Sequence, residues 1–219
     1  MTANAIATFT LAAAATLGAM PDLPGSRDAS RLDRVMGRYA SGDAAAFGEL
    51  YEAIAPRLHR FCLRLSRQRD EADDLFQEAL LRLHRARASY VPGAKTLPWA
   101  FAIARSAYLD RIRNRRRRPE DLLEGQHAQD PLDRVKSRDG SPESDACARA
   151  LFFVVDRELA RMSEKNRSAY VLLREEGLSV SEVAAVLGTT SDVVKQRAHR
   201  AYEQIRAAMR EAGWDGGKA

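Results

Sequence analysis

The sequence predicts an all-α protein in which a flexible acidic linker joins two small helical domains. Aromatic residues make up only 7% of the 219 residues, whereas Ala, Leu and Arg are abundant, and this composition favours helices. An apolar content of 45% fills two small helical cores but not one large enzyme fold. Between Pro119 and Asp145, eight acidic residues stand against three basic ones with almost no periodic apolar pattern, which indicates the linker. We therefore predict a disordered extension over residues 1–30, helical domains over 31–118 and 146–212, and the linker over 119–145.

The N-terminal extension contains an apolar, Ala-rich segment over residues 5–20. A signal peptide is not favoured, because no Lys or Arg precedes this segment and the first basic residue is Arg27. The segment is also too short and too weakly apolar to span a membrane. A disordered extension and a start codon assigned upstream of Met20 explain it equally well, and the chain is expected to be soluble and cytoplasmic.

The first domain is predicted to contain three helices. Pro56 is expected to bend the first, and the second covers residues 70–87. Residues 90–98 form a loop, and Trp99 opens the third helix. The apolar stripe of the first helix is Phe47, Leu50, Tyr51, Ile54, Leu58, Phe61 and Leu65, and that of the second is Leu75, Phe76, Ala79, Leu80 and Leu83.

The second helix opens with five acidic residues in nine positions, from Asp70 to Glu78, and no basic residue lies among them. Acidic side chains near a helix N-terminus interact favourably with the helix dipole, which explains some of these residues. Five are more than capping needs, so a further role is expected for this acidic end.

Basic charge is concentrated in the third helix. Residues 97–118 contain seven Arg and one Asp, a net charge of +6, whereas the whole chain carries +5. Clustered cations bind polyanions by neutralising phosphates and releasing counterions, so a polyanion is the leading candidate partner. A membrane surface is the competing interpretation, and the lack of a strongly apolar face opposite the Arg run disfavours it.

The second domain ends in a predicted helix-turn-helix over residues 178–206. Ser179 and Glu182 form a capping box that begins a short helix, and Gly188 ends it. The hydroxyls of residues 189–191 offer caps for a second helix, whose outer face fits a DNA major groove. An ordinary helical hairpin with a solvated basic face is the alternative. The predicted inward residues are Val193, Val194, Ala198, Ala201 and Ile205, and the outward ones are Lys195, Gln196, Arg197, His199 and Arg200.

The two cysteines, Cys62 and Cys147, are predicted to be unremarkable thiols rather than a disulfide. A metal site formed by His59, Cys62 and His84 is not favoured, because no closing ligand pair at metal-site spacing follows. No metal and no cofactor are expected.

The order of these parts resembles the sigma-70 family of bacterial RNA polymerase sigma factors, in its extracytoplasmic-function (ECF) group. Three motifs carry the resemblance, which covers roughly residues 34–209. Residues 74–79, D-L-F-Q-E-A, are similar to the family's D-L-V-Q-E-[TV], and residues 98–105, P-W-A-F-A-I-A-R, to its A-W-L-[FY]-x-I-A-R. Residues 194–201, V-K-Q-R-A-H-R-A, are similar to V-K-S-R-L-H-R-A, with Ala198 in place of a usual Leu. Tyr202 replaces a usual Arg or Lys, and residues 163–167 stand where the family often has L-P-x-x-x-R.

The resemblance implies a protein that binds RNA polymerase core, recognises promoters and helps to open them. The implied partners are the clamp of the largest polymerase subunit, the flap of the second-largest subunit, promoter DNA and an anti-sigma factor. The implied polymerase-binding residues are Asp73, Asp74, Gln77 and Glu78. The implied minus-ten DNA-binding residues are Tyr90, Lys95, Trp99, Arg105, Arg111, Arg113 and Arg115, of which Trp99 is interpreted as structural rather than base-stacking. The implied minus-thirty-five DNA-binding residues are Ser191, Lys195, Gln196, Arg197, His199 and Arg200.

Two other function classes fit the sequence less well. An invertase or resolvase also ends in a helix-turn-helix, but it requires a mixed α/β catalytic domain with a nucleophilic Ser. A repressor or activator that binds operators as a dimer explains residues 194–201 but leaves the acidic helix and the Arg run unused. An enzyme is not expected, since the sequence offers no paired carboxylates in a polar cleft, no Gly-rich phosphate loop and no Ser, His and Asp set.

Overall fold

The computed structural model describes residues 26–117 and 142–213, and every regular element within them is helical. The prediction of an all-α fold is therefore confirmed. The α-helices of these residues, numbered in chain order, are α1 (Ser26–Ala40), α2 (Ala46–Ser66), α3 (Arg69–Ala86), α4 (Thr96–Arg117), α5 (Pro142–Arg161), α6 (Glu164–Arg174), α7 (Val180–Leu187) and α8 (Ser191–Glu211). A 3₁₀ turn, Arg87–Ser89, follows α3. We call α1–α4 the N-terminal unit and α5–α8 the C-terminal unit.

Helix α1 begins inside the predicted disordered extension. Residues 26–30 are helical, so that prediction is wrong for them, and residues 1–25 lie outside the described residues. The helix forms because Leu32, Val35, Met36 and Tyr39 recur at spacings of three and four, and all four are buried against α2 and its neighbours.

Helix α2 contains the whole predicted stripe from Phe47 to Leu65, and helix α3 matches the predicted bounds of residues 70–87 to within one residue. Helix α2 continues through Pro56 and ends at Arg67, which adopts a left-handed conformation with φ of 67° and donates its backbone N–H to Leu63 O. Five of the seven predicted stripe residues are fully buried, but Tyr51 is exposed. Helix α3 follows after the extended residue Gln68, and it buries Leu75, Ala79 and Leu83. The two helices pack against each other and present the acidic end of α3 beside α2.

Helix α4 begins at Thr96, three residues earlier than predicted. The carboxylate of Asp33 on α1 accepts the backbone N–H of Thr96 at 2.8 Å, which satisfies one of the amide groups that a helix N-terminus leaves unpaired. Phe101 then packs edge-on against Phe61 of α2, with ring centroids 5.1 Å apart. These contacts place the Arg-rich end of α4 next to α3.

The C-terminal unit begins at Pro142, inside the predicted linker, and the linker residues 119–141 lie outside the described residues. Both halves of the predicted capping box are formed, since Ser179 Oγ accepts from Glu182 N and the Glu182 side chain accepts from Ser179 N. Gly188 ends α7 in a left-handed conformation with φ of 60°, and the Thr190 hydroxyl caps α8. The helix-turn-helix prediction is confirmed at the level of local structure.

The two units pack together. Helix α2 contacts α6, helix α4 contacts α7, and one buried apolar cluster contains residues of both units, including Phe101 and Leu172. A second, smaller cluster of Leu159, Met162, Ala201 and Ile205 lies within the C-terminal unit. Within the described ranges, none of the helices combines the length and the hydropathy needed to cross a membrane.

Candidate binding surfaces

Helix α8 has one face inside the C-terminal unit and one face in solvent. Val194, Ala201 and Ile205 are buried, whereas the predicted DNA-binding side chains are on the other face. Ser191, Lys195, Gln196, His199 and Arg200 are exposed, and Arg197 is half-buried. This face therefore combines an amide that can bind a base edge in bidentate fashion with cations that can bind phosphates.

Tyr202 has a structural explanation in this fold. Its ring packs edge-on against Tyr170 of α6, with ring centroids 5.6 Å apart, and the Arg174 guanidinium lies 4.7 Å from the Tyr202 ring centroid. A cation over an aromatic face is a favourable contact. Tyr202 thus joins α8 to α6 at a position where the family pattern has a cation.

The cations predicted to bind minus-ten DNA all form ion pairs within the chain. Arg105 pairs with Glu164 of the C-terminal unit, and the remaining pairs lie within the N-terminal unit. The latter are Lys95 with Asp33, Arg111 with Glu78, Arg113 with Asp110, and Arg115 with Glu71. Arg113 is the most exposed of the five. Phosphates would therefore have to compete with carboxylates at each of these positions.

The aromatic rings of the predicted minus-ten site are in the core. Tyr90 is 4% exposed and Trp99 is 3% exposed, and the two rings pack edge-on with centroids 5.3 Å apart. The Tyr90 hydroxyl donates to Ala94 O and lies 3.2 Å from Thr96 Oγ1, and burial raises the pKa of Tyr90 to about 12. The expectation that Tyr90 binds minus-ten DNA is therefore corrected, because its ring is buried in the core. Trp99 is a core residue, which agrees with its structural interpretation.

The acidic end of α3 divides into exposed and engaged residues. Asp74 and Gln77 are exposed. Asp73 Oδ1 lies 2.6 Å from His59 Nε2, and Glu78 pairs with both Arg82 and Arg111. The acidic residues beyond those needed for capping therefore fall into two groups. Glu78 pairs with an arginine of α4, whereas Asp74 faces solvent.

Leu81 is the functional candidate that sequence reasoning missed. It is 56% exposed and follows Asp74 and Gln77 at helical spacing, so the three side chains share one face of α3. An exposed large apolar side chain beside polar ones is typical of a protein-binding surface. The sequence could have identified Leu81 as a surface residue, because it lies outside the predicted apolar stripe of α3.

The residues considered for a metal site have other contacts. His59 binds Asp73, the Tyr39 hydroxyl binds His84 Nδ1, and Cys62 is buried. Burial raises the pKa of the Cys62 thiol to about 12, so it stays protonated. Residues 26–117 and 142–213 hold no group of three or more His, Cys, Asp or Glu side chains placed to bind a metal. The side chain of Cys147 lies outside the described residues.

Comparison with known proteins relates both units to one family. Residues 50–118 match the family Sigma-70 region 2, and residues 152–205 match Sigma-70, region 4. The chain is 32% identical over 177 residues to the RNA polymerase sigma factor CarQ of Myxococcus xanthus, covering 80% of this chain and 96% of CarQ. It is 30% identical over 172 residues to the ECF RNA polymerase sigma factor SigM of Mycobacterium tuberculosis, covering 78% of this chain and 81% of SigM.

Solved structures share the fold. The sigma factor RpoE of Bartonella quintana, in complex with the anti-sigma factor NepR, gives a TM-score of 0.61 at 23% identity and covers 75% of this chain and 96% of its own. CnrH, in complex with the cytosolic domain of CnrY, gives a TM-score of 0.60 at 21% identity and covers 82% of this chain and 97% of its own.

Proposed function

The chain belongs to the ECF group of the sigma-70 family, and we propose which of its surfaces binds polymerase, minus-ten DNA and minus-thirty-five DNA. As a sigma factor, the protein binds RNA polymerase and directs it to promoters for transcription initiation. A repressor or activator that acts without polymerase is not favoured by this family membership. The assignments below concern individual residues.

Helix α8 reads the minus-thirty-five element in the major groove. The exposed face of α8 supports this assignment most directly, because its cap, its buried stripe and its outward polar residues all suit a recognition helix. Gln196 reads a base edge, and Lys195 and Arg200 anchor the helix on phosphates. Ser191, Arg197 and His199 lie at the edges of the same contact.

Helix α4 holds the opened minus-ten strand through its cations. Arg111 and Arg115 lie one turn apart on the side of α4 that pairs with α3, and Arg113 lies on another side with its side chain exposed. The three cations therefore surround the C-terminal end of α4, where cations can bind the backbone of a single strand. Binding of the strand exchanges carboxylate partners for phosphates. Arg105 and Lys95 join the contact when their own ion pairs open.

The exposed face of α3 docks on polymerase. We name Asp74, Gln77 and Leu81 the α3 docking surface, since one exposed carboxylate, one amide and one exposed leucine share this face. A basic partner such as the clamp of the largest subunit complements it, and Leu81 supplies apolar contact area. Asp73 and Glu78 support this surface through their own ion pairs.

The remaining assignments follow from the family. The protein acts in the cytoplasm, where polymerase is, and it performs no chemistry of its own. Region 31–118 binds polymerase core and minus-ten DNA. Region 146–212 binds minus-thirty-five DNA, and residues 119–145 connect the two regions. An anti-sigma factor controls it, as the anti-sigma factor NepR is bound to the sigma factor RpoE in one solved complex.

Addition of purified polymerase core to a DNA-binding assay tests the function. With core present, the protein is expected to select specific sites from a pool of genomic fragments and to form heparin-resistant complexes on them. A repressor or a recombinase binds its sites equally well without core. Equal site selection with and without core would therefore contradict the proposed function.

A further inference from the structure

Asp33 of α1 uses its two carboxylate oxygens for two different partners. Oδ1 accepts the backbone N–H of Thr96, the first residue of α4, at 2.8 Å. Oδ2 lies 3.4 Å from the Nζ atom of Lys95, the residue before it. The side chain of Asp33 is 14% exposed, whereas that of Lys95 is 39% exposed. A largely buried carboxylate of α1 therefore holds the point at which the loop of residues 90–95 becomes helix α4.

Helix α1 also contacts the segment that enters this loop. The Tyr39 hydroxyl hydrogen-bonds His84 Nδ1 near the end of α3, and the Arg87 guanidinium lies 5.9 Å from the Tyr39 ring centroid. Arg87 begins the 3₁₀ turn that leads into the loop. Leu32 and Met36 bury the same helix in the core of the N-terminal unit. Helix α1 is thus attached on both sides of the loop, to the segment before it and to the helix after it.

The loop has a fixed internal shape. The Tyr90 hydroxyl donates to Ala94 O, and the backbone N–H of Ala94 donates to Val91 O at 3.0 Å. Gly93 lies within this turn with φ of 86°, in the left-handed region that favours glycine. These bonds set the shape of the loop, whereas the contacts of α1 hold its two ends.

The part of the loop that faces solvent is mostly backbone. Pro92 and Gly93 are exposed, whereas the rings of Tyr90 and Trp99 are buried. Bases of a single strand that meets this loop therefore contact its backbone groups and Lys95. A backbone group distinguishes one base from another only while its position is held accurately, because a hydrogen bond weakens steeply with misalignment. Accurate base choice at the loop therefore depends on how the loop is attached.

We propose that Asp33 is a positioning residue for recognition of the opened minus-ten strand. This rests on the proposed function, since the position of the loop matters for promoter choice only if the loop meets that strand. Oδ1 fixes the start of α4 and with it the loop, and this bond persists when the strand binds. Oδ2 holds Lys95 until a phosphate of the strand takes its place. One carboxylate thus supports base choice and limits affinity at the same time.

Three variants separate the two roles of Asp33. Asp33→Asn keeps an oxygen that can accept the Thr96 N–H but no longer holds Lys95 by charge. Asp33→Ala loses both contacts, and Lys95→Met loses only the cation. The positioning role predicts that the Asn and Ala variants differ, although both remove the same negative charge.

Asp43→Ala is the matched control. Asp43 Oδ1 accepts the backbone N–H of Ala45 at 3.1 Å, and its Oδ2 lies 2.8 Å from Arg38 Nη2. Asp43 therefore makes the same two kinds of contact as Asp33, but at the start of α2 instead of α4. Its replacement removes one side-chain bond to a backbone amide and one ion pair without touching the loop.

Amide hydrogen exchange of the full chain tests the attachment without polymerase or DNA. Exchange at Thr96 and in the loop is expected to rise about tenfold in Asp33→Ala, because the amide loses its acceptor. It should stay near the wild-type rate in Asp33→Asn, Lys95→Met and Asp43→Ala. Unchanged exchange in Asp33→Ala would overturn the proposal, since the loop would then be held without Asp33.

Base choice by the holoenzyme tests the consequence for the strand. The wild-type holoenzyme selects a preferred sequence from a pool of random single-stranded oligonucleotides, and its affinity for that strand is divided by its affinity for a scrambled one. Asp33→Ala is expected to lower this ratio about fivefold, because the loop is placed less accurately. Asp33→Asn should keep the ratio and bind both strands about twofold more tightly, because Lys95 is released for phosphate. Lys95→Met should keep the ratio, bind both strands less tightly and reduce the salt slope by about one contact.

The control and the Asn variant separate positioning from a general loss of stability. Each variant is checked by circular dichroism, and Asp43→Ala should keep the wild-type ratio. An equal fall of the ratio in Asp33→Ala and Asp43→Ala would overturn the proposal, and so would a ratio in Asp33→Asn as low as in Asp33→Ala. If Asp33→Ala does not fold, Asp33→Asn decides, because unchanged affinity for both strands would show that Asp33 does not restrain Lys95. A wild-type holoenzyme that prefers no single strand would contradict the proposed strand capture itself, whereas a wild-type ratio in folded Asp33→Ala would contradict only the role of Asp33.

Discussion

Glu78 Oε2 lies 2.7 Å from Nε of Arg111, so a residue predicted to bind polymerase holds a residue predicted to bind DNA. Glu78 also pairs with Arg82, and Arg82 in turn pairs with Asp110. Replacement of Glu78 would therefore disturb the packing of α3 on α4 as well as any docking contact. Variants that are meant to separate polymerase binding from DNA binding therefore have to leave Glu78 unchanged.

The first prediction concerns strand capture by α4. The double variant Arg111→Ala/Arg113→Ala should leave core binding and closed-complex formation nearly normal and should reduce promoter opening, because two phosphate contacts are lost. Opening is followed by permanganate reactivity of unpaired thymines, and a premelted bubble should restore part of the lost transcription. Arg34→Ala/Arg38→Ala is the charge-matched control. Normal thymine reactivity in the double variant would leave these arginines as general electrostatic attraction.

The second prediction concerns the α3 docking surface. Asp74→Lys should weaken core binding about five- to tenfold, since it places a cation against a basic partner. Leu81→Ala should weaken it through lost apolar contact, with no loss of thermal stability because Leu81 is exposed. Binding is measured by titration of labelled core, with Glu52→Lys on α2 as control. Unchanged affinity in folded Asp74→Lys protein would remove this surface from the polymerase interface.

The third prediction separates base reading from phosphate anchoring on α8. Gln196→Ala should relax base choice, costing about 1 to 3 kcal/mol on the preferred site if its contact is bidentate. Arg200→Ala should weaken binding to all duplexes and reduce the slope of log K against log salt by about one contact. Salt titrations on preferred and scrambled duplexes distinguish the two effects. Equal losses for both variants on both duplexes would show that the roles are wrongly assigned.

The fourth prediction uses the left-handed Gly188 at the end of α7. A Cβ there meets no neighbouring atom, so the effect of Gly188→Ala comes from its φ of +60° alone and should lower the free energy of unfolding by about 1 kcal/mol. Gly48→Ala, exposed in the first turn of α2, should instead raise it by less than about 1 kcal/mol. Urea unfolding measures both. A stabilising Gly188→Ala would mean that the helix does not end in this conformation.

The fifth prediction concerns alkaline pH. The folded pKa of Tyr90 is about 12, above its value of roughly 10 in an unfolded chain, so the unfolded state loses its proton first. The Tyr90 contribution to stability should therefore be constant below about pH 10 and should fall as pH rises from about 10 towards 12. The Cys62 thiol, whose pKa burial raises from 9.0 to about 12, adds a fall that begins near pH 9. Tyr90→Phe should remove the fall that Tyr90 causes while lowering stability at pH 8 through the lost hydrogen bond to Ala94 O. Burial also raises the pKa of Tyr39, Tyr108 and Tyr170, so part of the fall should remain, as thermal midpoints at several pH values will show.

Local chemistry explains which parts of the fold the sequence predicted. The capping box of Ser179 and Glu182, the turn at Gly188 and the apolar periodicity of α2 depend on residues a few positions apart, and all three were predicted. Helix α1 has the same periodicity, but the predicted start of the first domain, residue 31, falls after the first turn of this helix. Periodicity alone therefore located helices better than it located their ends.

The binding surfaces were harder to predict, because their environment depends on distant partners. The ion pair of Arg105 with Glu164 joins residues 59 positions apart, and nothing in either local sequence indicates it. The burial of Tyr90 likewise results from packing on Trp99, so a residue that looked like an exposed loop aromatic is in the core. Residue type predicted what each side chain can bind, and tertiary packing decides when it is free to do so.

The apolar cluster that spans both units also sets a condition on protein handling. If the C-terminal unit were produced alone, the apolar side chains of α6 and α7 that belong to this cluster would lose the cover that the N-terminal unit gives them, and large exposed apolar patches promote aggregation. A fragment of α5–α8 is therefore expected to self-associate at concentrations at which the full chain remains monodisperse.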